Sequence, residues 1–545
     1  MSKDLKYILA LIVLSYFFLF YGNNLISLTN PDEVFYVQTA KEMVQCRSWM
    51  TPILFDQPQF EKPILLYWLL RISFLIFGVN NFSGRFFCAF FALVGVVAVY
   101  LLARLLFEEK KKAFICALVL LSCGFYMGMG RTVFTDMPFS VLILLALLSF
   151  FWKQNGVGII LFFIFSALAV LAKGPLGLLI PLLTITIFLI LTRRIKLLFS
   201  GYILLGVVIF LVIALPWYIL MTAKYGWAFL QEFFYNDHYR RLVEAEHPGN
   251  DTWYFYPLTM LGCMFPWTLF LAASLVYLFW RIKRGDASYL FIFSWIISVF
   301  LIFQSAHSKL TSYILPLFPA LALTCGSFIY DSAMYRKRQF SVLLGLMWIV
   351  LLLMAVGIVF AALKFSSYLS SIRPIYFIAL VFIFWLGMSF FCFLRKKYMA
   401  AIYLLALYLP AILSVIPFIH RDIDPYLSSE AVCAYLVQNY PADKNGYLIS
   451  SKAYVRGTRY YTGRKVAVFA PYAKNFFSPH PIPFLDSDEK ARDFLRKQPL
   501  FYCFLKKSSL GDLKRVADKE FVYQIIKHIG NQYLVKIEQA ENYKK

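Results

Sequence analysis

Asp32, Glu33, Glu61 and Lys62 stand out because their neighbours are mostly apolar. The stretch from Asn30 to Trp68 reads NPDEVFYVQTAKEMVQCRSWMTPILFDQPQFEKPILLYW. A carboxylate can take a proton or face a carbon that becomes cationic, and a lysine can hold an anion as it leaves. Set among Tyr36, Tyr67 and Trp68 beside a long apolar run, these groups suit a polar headgroup carried on a lipid. Asp32 has a plainer reading as well. Following Asn-Pro, it fits the N-cap of a short amphipathic helix over VFYVQTAKEMV, with Glu33 as the acid of a capping box. Spacing alone favours the cap by roughly two to one, since caps outnumber catalytic carboxylates. The two roles are compatible, because a residue at a helix start can also face a cleft.

Composition fixes the medium in which these residues must be held. Of 545 residues, 61% are hydrophobic and 15% charged, which excludes an ordinary soluble enzyme and predicts a polytopic α-helical membrane protein. At about 20 apolar residues per crossing, about thirteen spans are predicted. They fall at 7–28, 84–106, 113–130, 137–152, 156–172, 175–192, 201–221, 257–280, 287–304, 310–330, 340–363, 374–394 and 399–419. The first lacks a small-residue cleavage site after it and reads as an anchor. A net charge of +24 would suggest nucleic acid in a soluble protein. Here the basic residues cluster between apolar runs, where they set orientation and meet anionic lipid, so no nucleic-acid partner is expected. Nine scattered Cys show no CxxC or other ligand spacing, although Cys433 and Cys503 could pair in an oxidising compartment.

Alternate loops carry the Lys and Arg: Lys3 and Lys6, Lys110–Lys112, Lys153, Arg193-Arg194-Lys196, Arg281-Lys283-Arg284, Arg336-Lys337-Arg338 and Arg395-Lys396-Lys397. That asymmetry predicts a cytoplasmic N-terminus and an extracytoplasmic tail from about His420. The opposite face then gathers the Asp32–Trp68 stretch, Arg131–Asp136, Lys173-Gly174-Pro175, the loop from Thr222 to Tyr256, and His307–Lys309. Trp, Tyr and Phe crowd the 222–256 loop between Asp237, His238, Arg240, Arg241 and Glu244, a mixture suited to a cavity at headgroup level. Two domains are expected. Residues 1–419 form the transmembrane part, with a juxtamembrane loop at 29–80 and an outer loop at 222–256, and 420–545 form a small α/β domain. In the latter, helix-like SSEAVCAYLVQNY and DEKARDFLRKQ alternate with strand-like GYLISS, KVAVFA, LFYCFL and QYLVKIEQ. No nucleotide-binding glycine signature occurs, so no nucleotide cofactor is expected and any donor must arrive already activated on a lipid.

PDEVFY, FEKPILLYW, RTVFTDMPF, AKGPLG and HSKLTSYILPLFP occur in this order. Together they resemble bacterial glycosyltransferases of the dolichyl-phosphate-mannose protein mannosyltransferase superfamily, and within it the lipid A aminoarabinose transferases. The resemblance runs from about residue 7 to 330 and more weakly beyond. It implies a GT-C fold in the bacterial inner membrane with a periplasmic cavity, where a polyprenyl-phosphate sugar, 4-amino-4-deoxy-L-arabinose in those transferases, passes to a lipid or glycan acceptor. It further implies catalytic roles for Asp32 and Asp136, and substrate contacts from Tyr36, Lys62, Tyr67, Arg240, Arg241, Lys309 and Tyr313. Glu61 and His238 are implied as ligands of a divalent metal, although two ligands fall short of an ordinary zinc site and a salt-bridging Glu with a cavity His reads equally well. One departure bears on the sugar or the acceptor: the aminoarabinose transferases usually carry Arg three residues after the first-loop Asp, and here that residue is Phe35.

Two rivals are separable. Transfer to protein Ser/Thr or to another glycan stays within the same superfamily. A lipid-linked saccharide transporter should show internal repeats or Gly/Pro-broken spans with midplane charges, and neither is evident, since the charged motifs sit at span ends.

Overall fold

The computed structural model describes residues 2–153, 156–335, 337–366, 370–408, 413, 416–440, 446–471 and 482–540. Its apolar runs are helical because hydrocarbon offers no partner for a backbone N–H or C=O. Among the described residues seven helices are long and apolar enough to cross a membrane: Asn81–Phe107, Gly156–Lys173, Gly201–Tyr225, Ala287–Ser305, Thr311–Tyr335, Arg338–Lys364 and Arg373–Leu394. Up to nine result if two bent pairs each count as one span, Lys110–Leu121 with Gly124–Gly130 and Phe255–Cys263 with Thr268–Lys283. Shorter apolar helices occupy Leu65–Phe77, Asp136–Trp152 and Leu176–Leu191. Several helices, Gly201–Tyr225 above all, are apolar yet largely exposed, which is stable only with lipid as the solvent. The protein is a multi-pass membrane protein. The expected first span is divided into the helix Ser2–Ser15 and a π-helical turn Tyr16–Phe20. The expected span at 399–419 falls partly outside the described residues, as does Arg336 of the basic loops.

Residues Met1–Asn23, Glu61–Leu66 and Arg85–Pro417 form one compact unit. In its core, Asp136–Trp152 packs on Gly156–Lys173, which packs in turn on Gly201–Tyr225. Lys112, grouped in sequence with a basic loop, is buried and donates to Asp331 at 2.8 Å; Tyr277 donates to the same carboxylate.

The second unit comprises Asn24–Phe60, Tyr67–Gly84 and Phe418–Lys545. A short antiparallel pair, β1 (Ile53–Leu54) and β2 (Gln57–Pro58), precedes a six-stranded sheet. That sheet contains β3 (Leu448–Ser451), β4 (Val466–Phe469), β5 (Phe484–Leu485), β6 (Leu500–Lys506), β7 (Phe521–Ile529) and β8 (Gln532–Gln539), in the order β5-β4-β3-β6-β8-β7. The first four in that order run parallel, while β8 is antiparallel to both β6 and β7. Helices Glu430–Asn439, Val455–Thr462, Asp488–Leu495 and Lys507–Ala517 accompany it. Cys433 and Cys503 are buried free thiols, so the pairing open to them in sequence is not made.

Candidate functional site

The loop after Gly201–Tyr225 holds a π-helix, Gln231–Tyr239, followed by one α-turn, Arg240–Val243. Such wide turns are rare and occur often at functional sites. This one brings Asp237 and Arg241 onto one side. The buried Asp237 carboxylate accepts from Lys62 Nζ at 2.7 and 2.8 Å, and Arg241 lies 3.2 Å from it. Arg241 also donates to the Tyr313 hydroxyl at 3.0 Å and lies 3.4 Å from Glu246. Glu61 adds to the field on Arg241. Burial alone would raise the Asp237 pKa, but Lys62 and Arg241 together hold it below the ordinary carboxylate value. Burial would lower the Arg241 pKa; Asp237, Tyr313 and Glu246 outweigh it and keep the guanidinium charged.

A second ion pair joins this cluster. Lys173 donates to Asp136, the first residue of the helix Asp136–Trp152, and its ammonium lies 4.5 Å over the Tyr313 ring. Lys62 and Asp237 both act on the Lys173 charge. The next residue explains the AKGPLG motif. Gly174 has φ +96°, and a Cβ there would come within 2.4 Å of His238 Nε2. On the ring's other side, His238 Nδ1 donates to the Phe233 carbonyl at 2.7 Å. Burial pushes the imidazolium below the ordinary histidine value, against the pull of Asp237 and of the Phe233 and Lys173 carbonyls. His238 thus sits as a spacer between the π-helix and the Lys173–Gly174 backbone.

Of the two residues read as metal ligands, His238 uses Nδ1 on the Phe233 carbonyl. Among the described residues no three His, Cys, Asp or Glu side chains gather as ligands.

Lys309 and Arg240 stand apart from the cluster. Lys309 is buried and donates to Asp251 at 2.8 Å, while His307 engages the other oxygen of Asp251. These bonds hold the Asp251 pKa below the ordinary value. In addition, Ser308 N–H donates to the Arg241 carbonyl and His307 N–H to that of Leu242. The HSK motif therefore braces the backbone that carries Arg241. Arg240 donates to Glu244 at 2.7 Å on a more exposed face.

Asp32, Tyr36 and Tyr67 belong to the second unit. Asp32 opens the helix Asp32–Gln45 and is exposed, and the N-cap position is Pro31. Glu33 is buried and accepts from Thr29 N at 3.0 Å and Thr29 Oγ1 at 2.9 Å, a contact made to the turn ahead of the helix rather than to its first N–H groups. Tyr36 and Tyr67 are buried with ring centroids 6.2 Å apart.

Two members of the cluster, Asp237 and Lys173, were placed on the outer face by sequence but given no role there. The available signals were the Asp237/Arg241 spacing of four residues and the lysine before Gly-Pro.

The fold and the cluster define a multi-pass membrane protein with half-buried cations gathered around two aspartates. A family model described as dolichyl-phosphate-mannose-protein mannosyltransferase matches residues 61–220. The chain is 32% identical over 308 residues to the undecaprenyl phosphate-alpha-4-amino-4-deoxy-L-arabinose arabinosyl transferase of Enterobacter sp. (strain 638), covering 54% of each chain. The enzyme of that name from Yersinia pestis (strain Pestoides F) is 31% identical over 315 residues, 56% of each. The chain thus matches about half the length of these relatives. Its fold is that of ArnT from Cupriavidus metallidurans in the crystal structure bound to undecaprenyl phosphate: TM-score 0.77 at 18% identity, covering 98% of both chains. The apo form gives 0.76.

Proposed function

We propose that the protein is a glycosyltransferase that moves a sugar, 4-amino-4-deoxy-L-arabinose in the first reading, from undecaprenyl phosphate to an extracytoplasmic lipid acceptor such as lipid A, with inversion. The observation that carries this is the half-buried gathering of Lys62, Lys173 and Arg241 around Asp237 and Asp136, and the names of the matched transferases support it. Lys62 and Arg241 receive the donor phosphate and stabilise its growing charge as the sugar–oxygen bond breaks. Until then Asp237 holds them in place. Lys173, oriented by Asp136 and seated on Tyr313, adds field at the same anion. Asp32 takes the proton of an acceptor hydroxyl or, where the acceptor is a phosphate needing no deprotonation, stabilises the cationic sugar. Thirteen spans, a cytoplasmic N-terminus and a periplasmic α/β domain complete the proposal.

The test is sugar transfer from a synthetic undecaprenyl-phosphate donor to lipid A by purified protein. Asp32→Asn keeps a side chain suited to a helix start but removes the charge and the base, so turnover should fall by roughly 10²-fold or more with stability unchanged. Near-normal turnover by a stable variant would move the base elsewhere, with Asp136 next. Transfer to Ser/Thr peptides instead of lipid A would favour the protein-glycosylating reading.

A further inference from the structure

Arg241 is held at two points by one short segment. The helix Arg240–Val243 is a single turn, so its last carbonyls must find partners outside it. Ser308 N–H donates to the Arg241 carbonyl at 3.0 Å and His307 N–H to that of Leu242 at 3.1 Å. Further along the same segment, the Tyr313 hydroxyl accepts from the Arg241 guanidinium at 3.0 Å. The course of residues 308–313 therefore sets where the guanidinium sits relative to its own backbone. Small shifts matter there, because Asp237 at 3.2 Å and Glu246 at 3.4 Å both draw on the same nitrogen. A guanidinium grips a phosphate through the fork of its edge, so its orientation decides the contact as much as its charge does.

The segment is fixed by a residue on another part of the outer loop. Residues 306–310 belong to no helix or strand, so no regular ladder holds them. Asp251 does so with both oxygens: Oδ1 accepts from Lys309 Nζ at 2.8 Å, and Oδ2 lies 2.8 Å from His307 Nδ1. These two arms flank Ser308, so the residue bonded to the Arg241 carbonyl cannot slide without breaking one of them. The Lys309 side chain is 5% exposed, and its ammonium depends on that carboxylate. The neighbours of Asp251 tighten the seam, since Asn250 Nδ2 donates to the Lys309 carbonyl at 3.1 Å and Lys309 Nζ reaches the Thr252 carbonyl at 3.4 Å.

We propose that Asp251 is a positioning residue for the donor: through the segment 307–313 it turns the Arg241 guanidinium toward the donor phosphate, although its own contacts are with His307 and Lys309. This rests on the donor assignment proposed above and adds to it the support on which the phosphate contact depends.

The experiment measures binding of undecaprenyl phosphate and of undecaprenol, which lacks the phosphate, to the purified full chain in detergent. Wild type, Asp251→Ala, Asp251→Glu, Arg241→Gln and the double variant Asp251→Ala/Arg241→Gln are compared. Wild type should prefer the phosphate by about tenfold or more, the size of a charge-assisted contact. Asp251→Ala should lose most of that preference while undecaprenol binds as before, and Asp251→Glu, which keeps the charge, should restore part of it. Because Asp251 acts through Arg241, the double variant should bind undecaprenyl phosphate no more weakly than Arg241→Gln alone. An equal loss on both lipids marks general loosening of the loop and overturns the proposal. So does an unchanged preference in a stable Asp251→Ala protein, or a loss that adds to that of Arg241→Gln. Should Asp251→Ala fail to fold, His307→Ala, which removes one arm and keeps the Lys309 pair, should narrow the preference in the same non-additive way, and an unchanged preference there overturns the proposal. A wild type that binds both lipids alike sinks the donor assignment and this proposal with it, whereas a preference that is present but independent of Asp251 sinks the positioning role alone.

Discussion

At the scale of single residues, Asp237 decides how the cluster behaves without substrate. Its carboxylate is largely shielded from solvent and its pKa is held low by Lys62 and Arg241. A carboxylate depressed in this way stabilises the fold at pH above its unfolded value, and that contribution disappears as pH falls through the lower folded value. Thermal unfolding in detergent should therefore show an acid limb that begins as pH falls into the ordinary carboxylate range and ends below it, and Asp237→Asn should flatten it. The same variant leaves two half-buried cations short of a partner, which should lower the melting temperature at neutral pH; an unchanged melting temperature would exclude this role. Lys62→Ala should weaken undecaprenyl phosphate binding by about 1.5–3 kcal/mol, read by titration of the purified protein. Lys62, Arg241 and Tyr313 stood out in sequence as candidates. Asp237 and Lys173 were placed on the same face without a role, because their partners Lys62 and Asp136 lie 175 and 37 residues away along the chain, beyond any local pattern. Lys309 misled in the opposite direction: its motif marks it, yet its charge is spent on Asp251.

At the scale of elements, the site depends on a π-helix packed against a glycine turn. A π-helix has no dependable periodic signature, and residues 231–239 read only as an aromatic loop. Its register is tested at Gly174. Alanine there meets His238 Nε2 and must also adopt a left-handed backbone. Gly174→Ala should cost about 1–3 kcal/mol of stability. Turnover should fall more than binding of undecaprenyl phosphate, since displacing His238 shifts the turn bearing Asp237 and Arg241. Equal turnover in the variant would mean that the histidine is not a spacer. The helix over 32–45 was legible from apolar spacing. What spacing left open was the direction of the two adjacent acids at its start, which depends on the turn before it: Glu33 is buried on Thr29, while Asp32 is exposed.

At the scale of the whole molecule, apolar runs made the membrane class legible, but counting them is coarser than observing helices. Two of the runs bend, by 66° and 118°, and Lys112, counted with a loop, is a buried partner of Asp331. Chain order also hides packing: the stretch around Asp32 clusters with residues after Phe418, although hundreds of residues separate them. The basic loops nevertheless make a sharp topological prediction. Lys111, Lys396 and Lys497 are all exposed, the first two in basic loops and the third in the tail. Cys46 is the one fully exposed thiol among the described residues, so a Cys46→Ser background suits single-cysteine labelling of the folded protein. In spheroplasts, an impermeant maleimide should label Lys497→Cys at once and reach Lys111→Cys and Lys396→Cys only after permeabilisation. The reverse pattern would place the basic loops outside. The proposed donor cluster would then face a compartment supplied with nucleotide sugars, and the case for a lipid-carried donor would lose its physical basis.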